Sequence, residues 1–347
     1  MYILLFLITF WIFASKSFIT KKDIQSPMKP RSLSLIIPSS LTIDAKDLRS
    51  KTLKIGQIAR AASVFCVDRI IIFRDPGLDE ADFIEKILLY AETPQYLRKR
   101  IFPLTNDLRY AGAIPPLRTP HHPVATTNDA SESSKASAEG VKAAKGGVGG
   151  AETMTRIGEI RAGVVVRTHE TGSWVDLGLE HTAFLGTSLR RNERVDVKIT
   201  SETPLKAVPV SRSEITGYWG YSVTKTDLLS SALDGAPADA RTADDGVNTN
   251  DVPTNPPEDK LLIATSRYGK PLNIDLLMKV GAECGTQDVL IAFGAPHKGI
   301  FEYMRDEGTP ISRFDYMVNS VPGQGTETIR VEEAVVATLA TLNIVFR

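Results

Sequence analysis

Apolar residues follow a strand–helix rhythm in the first part of the chain. Runs of β-branched and apolar residues predict strands at 33–39 and 69–73. Apolar residues at helical spacing predict a helix that begins near Ser50, its predicted N-cap, and further helices at 79–90 and 93–100. Because strands and helices alternate here, the pattern predicts an α/β fold with a parallel sheet.

The period of the apolar pattern shortens after residue 156. A hairpin is predicted at 163–178, and shorter strands follow at 183–186, 194–200 and 205–210. Short strands at such close spacing are typical of a small barrel. We therefore predict an OB-like β-barrel inserted into the α/β domain.

Composition divides the chain into five segments. They are an apolar N-terminus, a first α/β part, a polar linker, the inserted barrel and a second α/β part that contains an acidic loop. The bounds are 1–30, 31–120, 121–153, 154–212 and 213–347, with the acidic loop at 234–258.

The first fourteen residues are strongly apolar. As a helix they would span roughly 20 Å, less than the ~30 Å hydrocarbon core of a bilayer, so a membrane partner is disfavoured. No Lys or Arg precedes this run, and no clear cleavage site follows it. Three interpretations of this segment stay open. In order of preference, they are an error in the upstream sequence, a targeting segment and a membrane anchor.

The 41 basic and 41 acidic residues cancel, but they are unevenly distributed. Residues 28–74 contain nine Lys or Arg against three Asp, and residues 227–259 contain eight acids against one Arg. This favours either a basic face for RNA or a solvated mixed surface. Cys66 and Cys284 form no C-x-x-C pair, and the five histidines follow no metal-ligand spacing, so no metal is predicted.

Two predicted strands near the C-terminus run into loops rich in glycine and proline. Since ligands bind at the carboxyl ends of parallel strands, Gly294, Gly299, Gly323 and Gly325 predict a ligand crevice, and two plain tight turns are the alternative. The segment 265–269 is predicted as a third crevice loop. Neither nucleotide-binding glycine motif occurs, and no lysine follows the second loop, so we expect a neutral or cationic ligand bound by main-chain groups.

These loops carry a resemblance to a known family. Residues 288–299 and 314–334 resemble the second and third motifs of the SPOUT methyltransferases. Residues 55–73 resemble their first motif, in which a helix with one arginine precedes a strand. The chain is most similar to the archaeal and eukaryotic RNA methyltransferases that carry an inserted barrel. The resemblance covers roughly 31–120, 154–230 and 258–345.

The resemblance implies a SPOUT-type sheet with a C-terminal trefoil knot, a homodimer with shared active sites, and S-adenosylmethionine as methyl donor. The catalytic residues it implies are Arg60 for RNA phosphate or nucleophile activation, Asn319 for the base or the donor carboxylate, and Glu327 for donor or base. Glu327 has an alternative role as a charge at a helix N-terminus. The implied donor-binding residues are Thr265, Gly294, Gly299, Pro322, Gly325, Ile329 and Ala334.

On the barrel we predict RNA contacts at Trp174, Arg190, Arg191 and Arg194, with a structural spacer as the alternative. His297 lies in a motif loop, where it contacts either substrate or water. The resemblance implies methylation of uridine N3 in large-subunit ribosomal RNA, in the nucleus, the nucleolus or the cytoplasm. Residue chemistry does not decide whether a base nitrogen or a ribose oxygen is methylated, and it reveals no obvious general base. A non-catalytic RNA tether, in ribosome assembly or at the mitotic spindle, is the competing hypothesis.

Overall fold

A computed structural model describes four stretches of the chain, residues 30–122, 157–234, 259–285 and 287–346. The apolar N-terminal segment, nearly all of the predicted linker and nearly all of the acidic loop lie outside these stretches. Within them, no helix has both the length and the apolar character that a membrane crossing requires.

The strands of the described residues form two sheets. In chain order they are β1 (Ser32–Pro38), β2 (Arg69–Phe73), β3 (Ile160–His169), β4 (Gly172–Asp176), β5 (Ala183–Leu185), β6 (Arg194–Glu202), β7 (Leu205–Pro209), β8 (Ser222–Thr226), β9 (Lys260–Pro271), β10 (Asp288–Ala292) and β11 (Tyr316–Asn319). Six of them form a sheet in the order β11-β9-β10-β1-β2-β8, and all neighbours are parallel. The predicted parallel sheet is confirmed.

Helices cover both faces of this sheet. They are α1 (Leu48–Val64), α2 (Ala81–Glu92), α4 (Leu229–Asp234), α5 (Ile274–Cys284), α6 (Ile300–Asp306) and α7 (Val331–Leu342). A further helix, α3 (Gln95–Ile101), packs on the barrel. Side chains alternate along β1, so that Leu35 and Ile37 pack in one core with α1, α2 and α7, while Ile36 packs in the other with α4 and α6. Burial on both faces explains why these strands are nearly continuous apolar runs.

The N-terminus of α1 differs from its prediction. Asp47 is the N-cap residue, and its carboxylate accepts hydrogen bonds from the backbone N–H of Ser50 at 3.0 Å and from the Ser50 hydroxyl at 2.7 Å. The prediction that Ser50 caps this helix is therefore wrong. The helix begins earlier because the Asp47 side chain satisfies an N–H group that has no partner within the helix.

The five remaining strands close into a barrel in the order β3-β4-β5-β7-β6, which confirms the predicted barrel. Its interior is apolar and includes Val165, Val175 and Ile199. The barrel packs on α3, where the Tyr96 hydroxyl donates a hydrogen bond to the carbonyl oxygen of Ala162 at 2.7 Å. The trefoil knot stays a prediction.

Candidate functional site

A cavity of about 440 Å³ lies at the carboxyl ends of β9, β10 and β11. Three segments line it, namely the second half of β9, the β10–α6 loop and the β11–α7 loop, together with residues of α6 and α7. Of the residues predicted for donor binding and catalysis, the cavity brings together Thr265, Gly294, Gly299, Asn319, Glu327, Ile329 and Ala334. Pro322 and Gly325 belong to the β11–α7 loop but do not line the cavity, and Arg60 lies elsewhere.

The Thr265–Gly269 segment is an insertion inside a strand, whereas the sequence predicted a loop after the strand. It belongs to β9, but the register of pairing with β11 shifts across it, so these residues bulge out of the ladder. A Cβ at Gly269 would lie 2.5 Å from the carbonyl carbon of Val318, which explains the glycine. The Thr265 hydroxyl donates to the Ala292 carbonyl at 3.0 Å and ties the bulge to β10.

Asn319 holds two of the cavity segments together. Its side-chain N–H₂ donates to the carbonyl oxygen of Arg267 in the bulge at 3.0 Å, and its side-chain oxygen accepts from the N–H of Val321 at 3.0 Å. The structure thus gives the Asn319 amide a scaffolding role. A contact between Asn319 and the base or the donor stays a prediction.

Glu327 lines the cavity ahead of α7 rather than within its first turn. The acidic residues in the first turn of α7 are Glu332 and Glu333. The backbone N–H of Arg330, which precedes the helix, donates to the Glu333 carboxylate at 3.0 Å. Glu327 thus lies at the cavity and outside the first turn of α7, and its predicted roles with the donor, the base or the helix N-terminus stay predictions.

A buried carboxylate with its hydrogen-bond donors, which no sequence pattern predicted, adjoins the cavity. Asp75 follows β2, and its carboxylate accepts hydrogen bonds from the Ser40 hydroxyl at 2.5 Å and from the Tyr303 hydroxyl. The imidazole Nε2 of His297, which lines the cavity, lies 3.3 Å from the same carboxylate. Since Ser40 and Asp75 each follow a central strand, polar residues at adjacent carboxyl ends were the available signal.

Arg60 lies on a separate groove of about 580 Å³ between α1 and α7. Its guanidinium donates to the carbonyl oxygens of Leu117 and Pro116, the latter at 3.2 Å. The groove is mainly apolar, and it includes Val64 and Val336, which are 48% and 44% exposed. Within this chain, Arg60 is thus not part of the cavity.

Part of the positive charge between residues 28 and 74 is paired with carboxylates of the same chain. Four of these basic side chains form ion pairs: Arg31 with Asp288, Lys51 with Glu80, Lys54 with Asp44 and Glu332, and Arg74 with Asp79 and Asp227. Charge counting cannot reveal this pairing. Four of the nine basic residues in this segment are therefore paired with carboxylates, and the basic face stays a prediction.

The barrel carries an aromatic and basic surface. Trp174 is half-buried and packs edge-on against Phe184, with ring centroids 5.1 Å apart. The guanidinium of Arg167, a residue that was not among the predicted RNA contacts, lies 5.3 Å from the Trp174 ring centroid. Arg190 and Arg191 are exposed.

Arg194 has a different environment from the other predicted RNA contacts. Its guanidinium makes a two-pronged ion pair with Glu92 of α2, with distances of 2.5 and 3.1 Å. Glu92 is 2% exposed and also lies 3.1 Å from Nε2 of the buried His121. Because its charge is already paired, Arg194 joins the barrel to the α/β domain and is not available as an RNA contact in this arrangement.

Comparison with known proteins identifies the family. Residues 32–342 match the sequence family described as "Putative RNA methyltransferase". An uncharacterized protein of Halobacterium salinarum is 32% identical over 90% of this chain and 98% of its own length. The human protein named 28S rRNA (uridine-N(3))-methyltransferase is 28% identical over 90% of this chain and 78% of its own length.

Among solved structures, the SpoU methyltransferase AviRb from Streptomyces viridochromogenes, in complex with AdoMet, matches 92% of this chain and 59% of its own. That match has a TM-score of 0.33 and 11% identity, too low to support a conclusion about this chain. The family match extends over the sheet, the barrel and all three segments of the cavity. The chain therefore belongs to this family of RNA methyltransferases.

Proposed function

We propose that the protein uses S-adenosylmethionine to methylate N3 of a uridine in large-subunit ribosomal RNA. The observation that carries the proposal is the cavity, in which three separate stretches of an RNA methyltransferase family member meet at the carboxyl ends of parallel strands. Relatives named for this reaction in human and mouse align with 90% of the chain. We place the protein with its substrate, in the nucleus, the nucleolus or the cytoplasm.

The cavity suits a donor of this size and charge. Ligand pockets typically have volumes of roughly 300–1,000 Å³, and this cavity falls in that range. A Cβ at Gly294 would lie 3.0 Å from the backbone of both Lys298 and Gly299, so main-chain groups form this wall. Two acidic residues, Glu302 and Glu327, line the cavity beside the basic Arg267 and Lys298, so carboxylates are available to the cationic sulfonium.

We assign donor contacts to residues of the wall and of the adjoining loop. They are Thr265, Gly294, Gly299, Ile329 and Ala334, with Pro322 and Gly325 in the loop. The donor supplies a methyl group already activated on sulfur. The protein must therefore align the base nitrogen with that methyl group and remove a proton from it.

An exposed aromatic side chain favours a nucleobase as the acceptor. Tyr268 lines the cavity, is 75% exposed, and has the Arg267 guanidinium 4.8 Å from its ring centroid. Aromatic rings and guanidinium planes stack on bases that are turned out of an RNA strand. Arg167, Trp174, Arg190 and Arg191 of the barrel extend this contact along the strand.

The groove between α1 and α7 favours a homodimer. Its apolar lining with two half-exposed valines is the kind of surface that a second copy covers. In such a dimer Arg60 lies at the interface, and we assign it to the active site shared with the neighbouring protomer. The trefoil knot belongs to the same proposal.

Donor titration and product mapping test the proposal. Purified protein is titrated calorimetrically with S-adenosylmethionine, and its RNA product is digested to nucleosides and analysed by mass spectrometry. We expect donor binding and 3-methyluridine. Gly294→Val places carbon atoms against the Gly299 backbone, and we expect donor affinity to fall at least about tenfold, or ~1.4 kcal/mol. Gly186→Ala is the matched control, since a Cβ there meets nothing within 4 Å.

Each failure has its own meaning. Absence of donor binding at millimolar concentration contradicts the methyltransferase and favours a tether. A methylated ribose oxygen in place of 3-methyluridine contradicts the proposed acceptor atom. Equal donor affinity of Gly294→Val and the native protein contradicts the assignment of the cavity.

A further inference from the structure

Among the described residues, every hydrogen bond to the Asp75 carboxylate is donated by its partner. The Ser40 and Tyr303 hydroxyls donate to one carboxylate oxygen, and the Gly77 backbone N–H donates to the other at 3.0 Å. The Asp75 side chain is 3% exposed, so water cannot replace these donors. The carboxylate is therefore held as an acceptor, and any further group facing it must present a proton.

The ionised state of Asp75 follows from this environment. Burial acts to raise the pKa of Asp75, but the hydrogen bonds from Ser40, Tyr303 and Gly77 outweigh it and leave the pKa below its ordinary value. Burial raises the pKa of Tyr303 well above its ordinary value, so the phenol keeps the proton that it donates. Asp75 thus carries a negative charge that faces His297.

His297 connects this buried charge to the cavity. Its Nε2 lies 3.3 Å from the Asp75 carboxylate, and its side chain is 37% exposed and lines the cavity. Because the carboxylate accepts only, we expect the proton of the neutral imidazole on Nε2 and the free electron pair on Nδ1. A carboxylate that fixes the tautomer of a histidine in this way creates a proton acceptor.

The other charged side chains near His297 form ion pairs or line the same cavity. Lys298, its neighbour in the chain, pairs with Asp306 at 2.7 Å and lies 4.3 Å from the Tyr303 ring centroid. The remaining charged side chains that line the cavity are Arg267, Glu302 and Glu327. Asp75 is the carboxylate that the structure places against the imidazole.

We infer that His297 is the general base of the methyl transfer and that Asp75 positions it. This inference rests on the proposed function. The N3–H proton of the uridine passes to Nδ1 of His297, and the N3 electron pair forms a bond to the methyl carbon. The bond between that carbon and sulfur breaks, and its electron pair stays on sulfur as a neutral thioether. The resulting imidazolium, stabilised by Asp75, then releases its proton to water.

The pH dependence of single-turnover methylation tests this role with His297→Gln. Glutamine retains an N–H group for Asp75 but accepts no proton from the imide. At neutral pH we expect a rate loss of about 100-fold or more, with donor and RNA affinities unchanged within about threefold. The loss should shrink at alkaline pH, where the imide ionises without help. His181→Gln, at an exposed position of the barrel, is the matched control.

Equal rates at neutral pH for His297→Gln and the native protein would overturn the inference. So would a rate loss that persists unchanged at alkaline pH, because only a missing base is compensated by ionisation of the substrate. If the native protein makes no 3-methyluridine, the proposed function itself has failed. The two failures are therefore distinguishable.

A second measurement needs no catalysis. In ¹⁵N-labelled protein without ligands, long-range ¹H–¹⁵N spectra report which nitrogen of His297 carries the proton. We expect the Nε2–H tautomer in the native protein and a mixture of tautomers in Asp75→Asn. A native imidazole protonated on Nδ1 would overturn the inference.

Discussion

Asp75 and Glu92 are both buried carboxylates that face a histidine, yet their surroundings differ. Glu92 is paired by the guanidinium of Arg194, so its charge is balanced by a full positive charge. Burial acts to raise the pKa of Glu92, but the charge of Arg194 and the hydrogen bonds outweigh it and hold the pKa far below its ordinary value. Asp75 is stabilised only by neutral donors and by an imidazole that lines the cavity.

The comparison shows that a buried carboxylate beside a histidine can serve two different purposes. A buried carboxylate matched by a cation inside the protein has no charge left for a substrate, and it joins two parts of the fold. A buried carboxylate held by neutral donors keeps its net charge, which acts on the one side chain that reaches the cavity. The first arrangement is structural and the second supports chemistry.

The largest expected effect comes from breaking the ion pair between Glu92 and Arg194, the joint between the α/β domain and the barrel. Glu92→Gln leaves the partly buried Arg194 without its counter-charge, and we expect a loss of unfolding free energy of about 3 kcal/mol. Urea unfolding followed by circular dichroism measures it. Glu180→Gln, an exposed position on the barrel, is the control and should change little. A loss below ~1 kcal/mol for Glu92→Gln would show that the pair does not hold the joint.

Acid should weaken the same joint with a smaller effect. Burial, followed by the charge of His121, lowers the pKa of His122 from 6.5 to about 4. The unfolded chain binds this proton more readily, so the contribution of neutral His122 is present above pH 6.5 and is lost as the pH falls toward about 4. Glu92, whose pKa is also lowered, acts in the same direction at still lower pH.

We expect this titration to remove about 2 kcal/mol of unfolding free energy between pH 7 and pH 4. Urea unfolding at a series of pH values measures the loss. His122→Asn should flatten the pH dependence, and His181→Asn should leave it unchanged. The same slope in the native protein and in His122→Asn would contradict the assignment to His122.

The smallest expected effect tests the neutral hydrogen-bond donors that surround Asp75. Tyr303→Phe removes one hydroxyl donor from Asp75 while retaining the aromatic ring, which packs edge-on against Phe73 at 4.9 Å between centroids. We expect a loss of about 1 kcal/mol in unfolding free energy. Tyr268→Phe, whose ring is exposed, is the matched control. A loss as large as that of Glu92→Gln would show that the two carboxylates are not held differently.

Sequence periodicity predicted the fold well because each strand and helix carries its own apolar pattern. The strand at 69–73 was predicted to the residue, and the change of period marked the barrel. The N-cap of α1 was missed because Asp47 and Ser50 are both capping residue types, and only the geometry shows which accepts the hydrogen bond. The bulge at 265–269 depends on pairing with β11, a contact across fifty residues that no local pattern encodes.

The candidate site was predicted only in part for a similar reason. Glycine-rich loops after strands gave the cavity, since that relation is local. The cluster of Asp75 with Tyr303 joins residues 228 positions apart, and it depends on which strands become neighbours. The pairing of Arg194 with Glu92 spans 102 positions, so an arginine that looked suited to RNA proved to be structural.

The position of β1 has a consequence for synthesis of the protein on the ribosome. This strand is the first of the sheet to be made, yet it lies at its centre and pairs with β10, so that Ser32 meets Asp288 across 256 positions of chain. Until β10 has left the exit tunnel, one edge of β1 has no partner, and the whole barrel is translated in the meantime. Since contacts this distant are slow to form, we expect completion of the sheet to be among the last events of folding, with that edge of β1 exposed to non-native pairing until then.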